Sequence, residues 1–277
     1  MNKLIRQPPI IDASDIKKVG FIGPEGTWTH QATLELFSNG PGLVPFKDGL
    51  FEAYASGMVD AICAPVTTSL VGTTPYLDQI LALPSVTVIA EYPRMLSYSL
   101  IASKDATFSS ITKVLGHPVA LQEVRAWIDE NMPGVERESR LGTVAYVAEE
   151  NSPKLAAFGP GLGAKLYNLQ ELRTGIEEGL HNVTRWWVLG KDIARPTGFD
   201  RTTIVLRSDE ASISSQLATF VNSGLSILNI YERPTCERLD IHQYVIDFAG
   251  HVEAESQLAQ LVSRDDIRML GSYPRRY

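Results

Sequence analysis

Residues 64–75, APVTTSLVGTTP, bring threonine and serine hydroxyls together with glycine and carry no charge. Hydroxyls donate and accept hydrogen bonds, but they supply no acid, base or metal ligand near neutral pH. The stretch therefore reads three ways: a plain loop, a binding lip, or an active site that lacks an expected ionisable group. It follows GMVDAIC (57–63), read as a strand over Val59–Ala64 running into a turn. The end of a buried strand is where α/β proteins commonly place ligands. GPEGTWTH (23–30) is a glycine turn opening a helix, which by itself is weak as a signal of function. GPGLGAK (159–165) lacks the GxxxxGK spacing of a phosphate loop and reads as a helix start. The five histidines form no HExxH pair; His117 reads as a structural or capping residue, and His30 and His181 have no identifiable partner. Cys63 and Cys236 lack metal-ligand spacing. No metal and no cofactor are expected.

These residues need elements to hold them. KKVGFIG (17–23) is a short apolar strand, GPEGTWTHQATLELF opens a helix, and Leu43–Phe46 is a weaker strand because of Pro45. Phe51–Met58 reads as a helix, and residues 85–104 are rich in β-formers and long enough to cross between lobes. A second α/β cycle starts at 109–114, with a helix from Pro118, a strand near Val135–Ser139, a helix over Thr143–Glu150 and a strand over Lys154–Phe158. EEGLHNVTRWWVLGK then returns to the first lobe, with Trp186 and Trp187 alternating so that one of them is core. Alternation of this kind favours parallel sheets. Proline and glycine cluster at 193–200, after which the order βαββαβ reads as a ferredoxin-like module.

The chain has 277 residues, 44% hydrophobic and 21% charged, enough for two domains with their own cores. A net charge of −7 argues against nucleic acid as the main partner, while local dipoles and arginines still allow an anionic small ligand. Two distant cysteines fit a reducing compartment, no segment reaches the roughly 20 apolar residues of a membrane span, and the N-terminal stretch lacks a signal-peptide core. A cytoplasmic protein without a membrane partner is expected.

The motifs taken together resemble the prephenate dehydratase family along nearly the whole chain. GPEGTWTHQA stands for that family's GPEGTFSHQAA, and FEAYASGMVDAICAPVTTSLVGT for FEAVENGEADYGVVPIENSIEGS. GHPVAL stands where it has HPQAL, and NVTRWWVLG where it has NYTRFLVLG; YERPT, YVIDFAGH and LGSYP follow the pattern of its ACT domain. The resemblance implies two Rossmann-like lobes with an interlobe cleft, similar to periplasmic binding proteins, followed by an ACT domain. The catalytic domain would cover 17–195, with lobe 1 at about 17–95 and 184–195, lobe 2 at about 96–183, and the ACT domain at 200–277.

The likeness is weakest at the site. The family's adjacent glutamate and asparagine are Thr67 and Thr68 here, its HPQ glutamine is Val119, and its TRF phenylalanine is Trp186. Thr184 and Arg185 are kept, and Gly142–Thr143–Val144 takes the place of a small-residue STA stretch. The resemblance implies that Thr184, Thr67 and Thr68 shape catalysis. Thr27, Ser69, Val119, Thr143, Arg185 and Trp186 would contact substrate, with Thr27 and its helix start holding a carboxylate. Ser69 serves equally well as a cap. Prephenate is the implied substrate. Loss of the glutamate and two amides points to a decarboxylase that keeps the ring hydroxyl and releases a non-aromatic dihydro-4-hydroxyphenylpyruvate for secondary metabolism. Phenylpyruvate-forming dehydration in phenylalanine biosynthesis and a non-catalytic aromatic-acid sensor are the alternatives. Arg233 and Pro234 would belong to a regulatory amino-acid site, altered because Tyr231–Glu232 replace Glu–Ser and SISSQL replaces a PGAL-like turn. The resemblance also implies a homo-oligomer, dimer or tetramer.

Overall fold

The apolar run at Lys18–Ile22 forms β1, whose central Val19, Gly20 and Phe21 are buried. The computed structural model describes residues 11, 14–37, 40–177 and 182–277. His181 and most of the N-terminal stretch lie outside the described residues. After β1 come α1 (Trp28–Leu36), β2 (Gly42–Phe46), α2 (Leu50–Ala55), β3 (Ala61–Thr68), β4 (Gly72–Thr73) and α3 (Pro75–Ala82). Next are β5 (Thr87–Met95), β6 (Ser99–Ala102), β7 (Lys113–Gly116), α4 (Pro118–Glu123), α5 (Arg125–Asn131), β8 (Glu136–Ser139) and α6 (Thr143–Glu150). They are followed by β9 (Leu155–Gly159), α7 (Gly161–Leu166), β10 (Gln170–Thr174) and β11 (Val183–Gly190). The remainder is β12 (Asp200–Asp209), α8 (Ile213–Asn222), β13 (Ile227–Pro234), β14 (Ile241–Ala249), α9 (Ser256–Val262) and β15 (Ile267–Pro274).

Three sheets result. The first has the order β2-β1-β3-β11-β5, with β4 on β3, and β1 runs parallel to both β2 and β3. β2 is an edge strand, which is why Pro45 is tolerated within it. The second has the order β10-β6-β9-β7-β8, with β7 parallel to β8 and β9. Its core packs Ile101, Leu115, Val144, Val147 and Leu155. The third, antiparallel sheet has the order β13-β14-β12-β15 and buries Ile204, Phe220, Ile246, Phe248 and Leu258, completing the expected βαββαβ module. Two compact units hold these elements. Among the described residues, one gathers those up to Leu77 with Tyr92–Trp186, and the other holds Asp78–Glu91 with Trp187–Tyr277.

Three expectations are corrected, and one strand is added. The strand expected to end at Ala64 continues through Thr68, because threonine is a good β-former and Thr67 and Thr68 pair with Thr73 and Gly72. The helix from Pro118 breaks at Val124 into α4 and α5. Trp186 and Trp187 are both 1% exposed: β11 is an inner strand whose residues Thr184–Gly190 are buried without a break, so both of its faces are packed and alternation does not sort its side chains into core and surface. β10 is an edge strand of sequence QELRT, too polar to show a strand pattern.

Candidate active site

The turn after β1 is built around two groups. Gly26 has φ +78, a conformation glycine adopts without strain, and its N–H donates to His30 Nδ1 at 3.0 Å. The His30 ring stacks on Phe21 at 4.8 Å, and burial lowers its pKa, so the neutral imidazole keeps the lone pair that Gly26 needs. Thr27 caps α1: its hydroxyl accepts from His30 N–H at 3.1 Å and donates to Ile22 O at 3.2 Å. Glu35, further along α1, accepts from Arg94 Nε at 2.9 Å and Nη2 at 3.0 Å and also from the Tyr92 hydroxyl. Burial alone would raise its pKa, but the Arg94 and Tyr92 bonds outweigh that and lower it. The Arg94 guanidinium lies 4.9 Å from the Trp28 ring centre.

Three glycines let this turn approach the second sheet's helices. A Cβ on Gly142, just before α6, would stand 3.2 Å from Pro24 Cγ. One on Gly163 in α7 would meet Gly26 O at 3.0 Å and Val144 Cγ1 at 2.9 Å. Tyr167, at the end of α7, donates its hydroxyl to Glu25 O at 3.1 Å. The GPEG turn thus sits against the start of α6, where Thr143 is buried, and against α7.

The hydroxyl-rich stretch is tied to β11. Ser69 N–H donates to Val183 O at 2.8 Å, and Ser69 Oγ accepts from Val183 N–H at 2.9 Å. Thr68 Oγ1 accepts from Val71 N–H at 3.0 Å, and Thr68 is buried while Thr67 is half-buried. The hairpin therefore lies beside Thr184, which is 4% exposed. By strand alternation Thr184 shares a face with Asn182 and Trp186, and Arg185, 2% exposed, points to the opposite face. Trp186 Nε1 donates to Thr29 Oγ1 at 3.2 Å, which joins that face to α1. Val119 is half-buried at the start of α4, where its N–H donates to His117 Nδ1 at 3.2 Å; His117 is a cap, as expected.

One group was not singled out from sequence. Glu123, at the end of α4, is 1% exposed, and its Oε2 accepts from Tyr98 hydroxyl at 2.8 Å and Asn182 Nδ2 at 3.1 Å. Burial raises its pKa against the pull of those two bonds. Asn182 lies in NVTRW and so carried a motif signal; Glu123 had none beyond being a carboxylate in an apolar helix. Among the described residues, no group of three or more His, Cys, Asp or Glu side chains is arranged to hold a metal.

A model of the prephenate dehydratase family matches residues 19–194. The chain belongs to the prephenate dehydratase family. It is 30% identical to the bifunctional chorismate mutase/prephenate dehydratase of Pseudomonas aeruginosa over 93% of this chain and 73% of that protein. It is 28% identical to the prephenate dehydratase of Mycolicibacterium gilvum over 92% of this chain and 90% of that protein. Among solved structures, prephenate dehydratase from Arthrobacter aurescens in complex with L-Phe superposes with a TM-score of 0.83 at 26% identity, covering 94% of this chain and 90% of that one. This family member is thus an enzyme of the lyase type, with its family-matched region spanning the first two sheets. No helix among its described residues is long and apolar enough to cross a membrane. Arg233, on β13 of the third sheet, donates from Nε to Asp78 Oδ1 at 2.7 Å and from Nη2 to Oδ2, and Pro234 ends the strand in the open. Pro234 borders a cavity of about 360 Å³, lined also by Glu232, Leu239, Ile241 and His242.

Proposed function

We propose that this family member is a prephenate decarboxylase that does not aromatise its substrate. The observation that carries the reading is the replacement of Glu–Asn by Thr67–Thr68 and of glutamine by Val119. Those positions belong to a hairpin stitched to the Thr184 strand and to the start of α4. Carbon dioxide leaving the ring of prephenate deposits an electron pair over the diene. Expelling the ring hydroxyl with that pair gives phenylpyruvate and needs polar help at the departing oxygen. Retaining the hydroxyl requires protonation of a ring carbon instead. Removing one carboxylate and two amides weakens the help for departure and favours the second course. In this reading the Thr27 helix start holds a carboxylate, Thr143 and Ser69 line the substrate, Trp186 narrows the ring site and Thr184 positions the hydroxyl. Arg185, expected from sequence as a carboxylate partner, lies on the opposite face of β11 and is left out of the substrate shell.

Dehydration to phenylpyruvate in phenylalanine biosynthesis is the second reading. It is favoured by the retained Thr184 and by the relatives, which bear the name prephenate dehydratase. We further propose that residues 17–195 form the catalytic domain and that 200–277 form an ACT domain. That domain would assemble a cytoplasmic homo-oligomer and respond weakly to an amino-acid effector near Arg233 and Pro234. L-Phe is the effector to test, since the Arthrobacter structure contains it. The decisive experiment incubates purified protein with prephenate and identifies the product by NMR. A dihydro-4-hydroxyphenylpyruvate supports the proposal; phenylpyruvate as main product replaces it with the second reading. Unchanged prephenate with measurable binding makes the protein a sensor.

A further inference from the structure

Either fate of the diene electron pair consumes one proton, and none of the hydroxyls in the threonine hairpin is acidic enough to supply it. Glu123 is a carboxyl tied directly to the NVTRW stretch, through Asn182, and it is almost fully buried. Both of its recorded donors, the Tyr98 hydroxyl and the Asn182 amide, converge on Oε2. Its Oε1 is buried with no hydrogen-bond partner among the described residues. The same holds for Asn182 Oδ1 and for Trp28 Nε1, and the Trp28 ring meets Tyr98 edge-on at 5.7 Å. Three polar atoms left unpaired in one buried cluster are costly unless something pairs with them, since each forfeits about 1–3 kcal/mol of solvation. Glu177 also faces Tyr98, accepting its backbone N–H at 2.8 Å.

We infer that Glu123 is the proton donor of the reaction, with its acidic hydrogen on Oε1 and its Oε2 fixed as an acceptor by Tyr98 and Asn182. This deepens the proposed function and rests on prephenate being the substrate. Burial raises the carboxyl's pKa against the pull of its two hydrogen bonds, a shift toward the protonated form. As the C–CO₂ bond breaks, its electron pair spreads over the ring. The Glu123 O–H bond then breaks while a C–H bond forms at a ring carbon, leaving a carboxylate that regains its proton from water. No oxidant or reductant is required. Tyr98 and Asn182 are positioning residues: they fix which oxygen carries the proton. Tyr98 itself is a poor donor, because burial and Glu123 raise its pKa well above the ordinary phenol range.

The test is Glu123→Gln, which preserves shape and an acceptor oxygen but cannot give up a proton. Turnover of prephenate should fall by about 10²–10⁴-fold, with KM held within about threefold. Turnover within about threefold of the parent protein overturns the inference. Infrared difference spectra of parent minus Glu123→Gln protein near neutral pH give a readout independent of activity. The carbonyl band of a protonated carboxyl is expected, and carboxylate bands alone overturn the assignment. Glu123→Asp, which keeps a carboxyl at shorter reach, should retain a shifted band and partial turnover if the glutamine variant folds poorly. Product identity tests the decarboxylase reading separately. If the parent protein makes phenylpyruvate, that reading fails, yet the same loss in Glu123→Gln still supports proton delivery, now to the departing oxygen.

Discussion

Gly163→Ala tests whether the glycine contacts position the site. The added methyl would stand 3.0 Å from Gly26 O and 2.9 Å from Val144 Cγ1. The Val144 methyl can turn away, but the carbonyl is backbone, so the GPEG turn must retreat by some tenths of an ångström. Overpacking of this kind costs about 1–3 kcal/mol. Alanine regains up to about 1 kcal/mol of helix propensity in α7, leaving a net loss of roughly 0–2 kcal/mol. For a chain of this size that lowers Tm by at most about 8 °C, at about 2–4 °C per kcal/mol. The effect on chemistry should be larger, because displacing a binding group by about 1 Å can cost about 10²-fold. We therefore expect kcat/KM for prephenate to fall by about 10- to 100-fold, against a small shift in Tm. Gly42→Ala is the control: its methyl would meet only Lys17 O at 3.8 Å, so activity and Tm should stay unchanged. Melting curves and steady-state kinetics on both variants decide it. A Gly163→Ala protein with normal kcat/KM despite a lowered Tm would refute the claim that the turn must lie against α7.

Three other outcomes are expected. Restoring the family residues with Thr67→Glu, Thr68→Asn and Val119→Gln should raise the share of phenylpyruvate; an unchanged product ratio in a folded protein counts against those positions as the divide. Arg201, fully buried between Asp247 at 2.6 Å and Glu91 at 3.4 Å, should cost about 3–5 kcal/mol when replaced by Met, since two buried carboxylates lose their cation; denaturant unfolding measures it. His30 has a lowered pKa in the folded protein, so the unfolded chain takes up protons first. Stability should therefore be complete above the ordinary histidine range and decline as pH falls through it, and the His30 resonance should titrate below 6.5, its ordinary value.

Sequence patterns located most elements because buried strands and capped helices carry strong local signals. The helix over Thr143–Glu150 and the βαββαβ order both appear as read. The misreadings share a cause in tertiary context. Thr67 and Thr68 look like turn residues until Gly72–Thr73 offers a partner strand. Trp186 and Trp187 look like a core-and-surface pair until the fold buries both faces of β11. The hydroxyls of Thr27, Thr68 and Ser69 are legible as candidates; Thr27 and Thr68 cap backbone N–H groups three residues on, whereas the bond of Ser69 to Val183 spans 114 residues and depends on the fold. Glu123 escaped notice because its partners Tyr98 and Asn182 lie 25 and 59 residues away. Burial, which makes it chemically interesting, is not a property of its neighbours in sequence.

The central claim is tested most directly by counting carbon dioxide released against aromatic product formed from the same prephenate. A non-aromatising decarboxylase releases carbon dioxide with almost no phenylpyruvate. One phenylpyruvate for every carbon dioxide would contradict the account and make this family member a dehydratase.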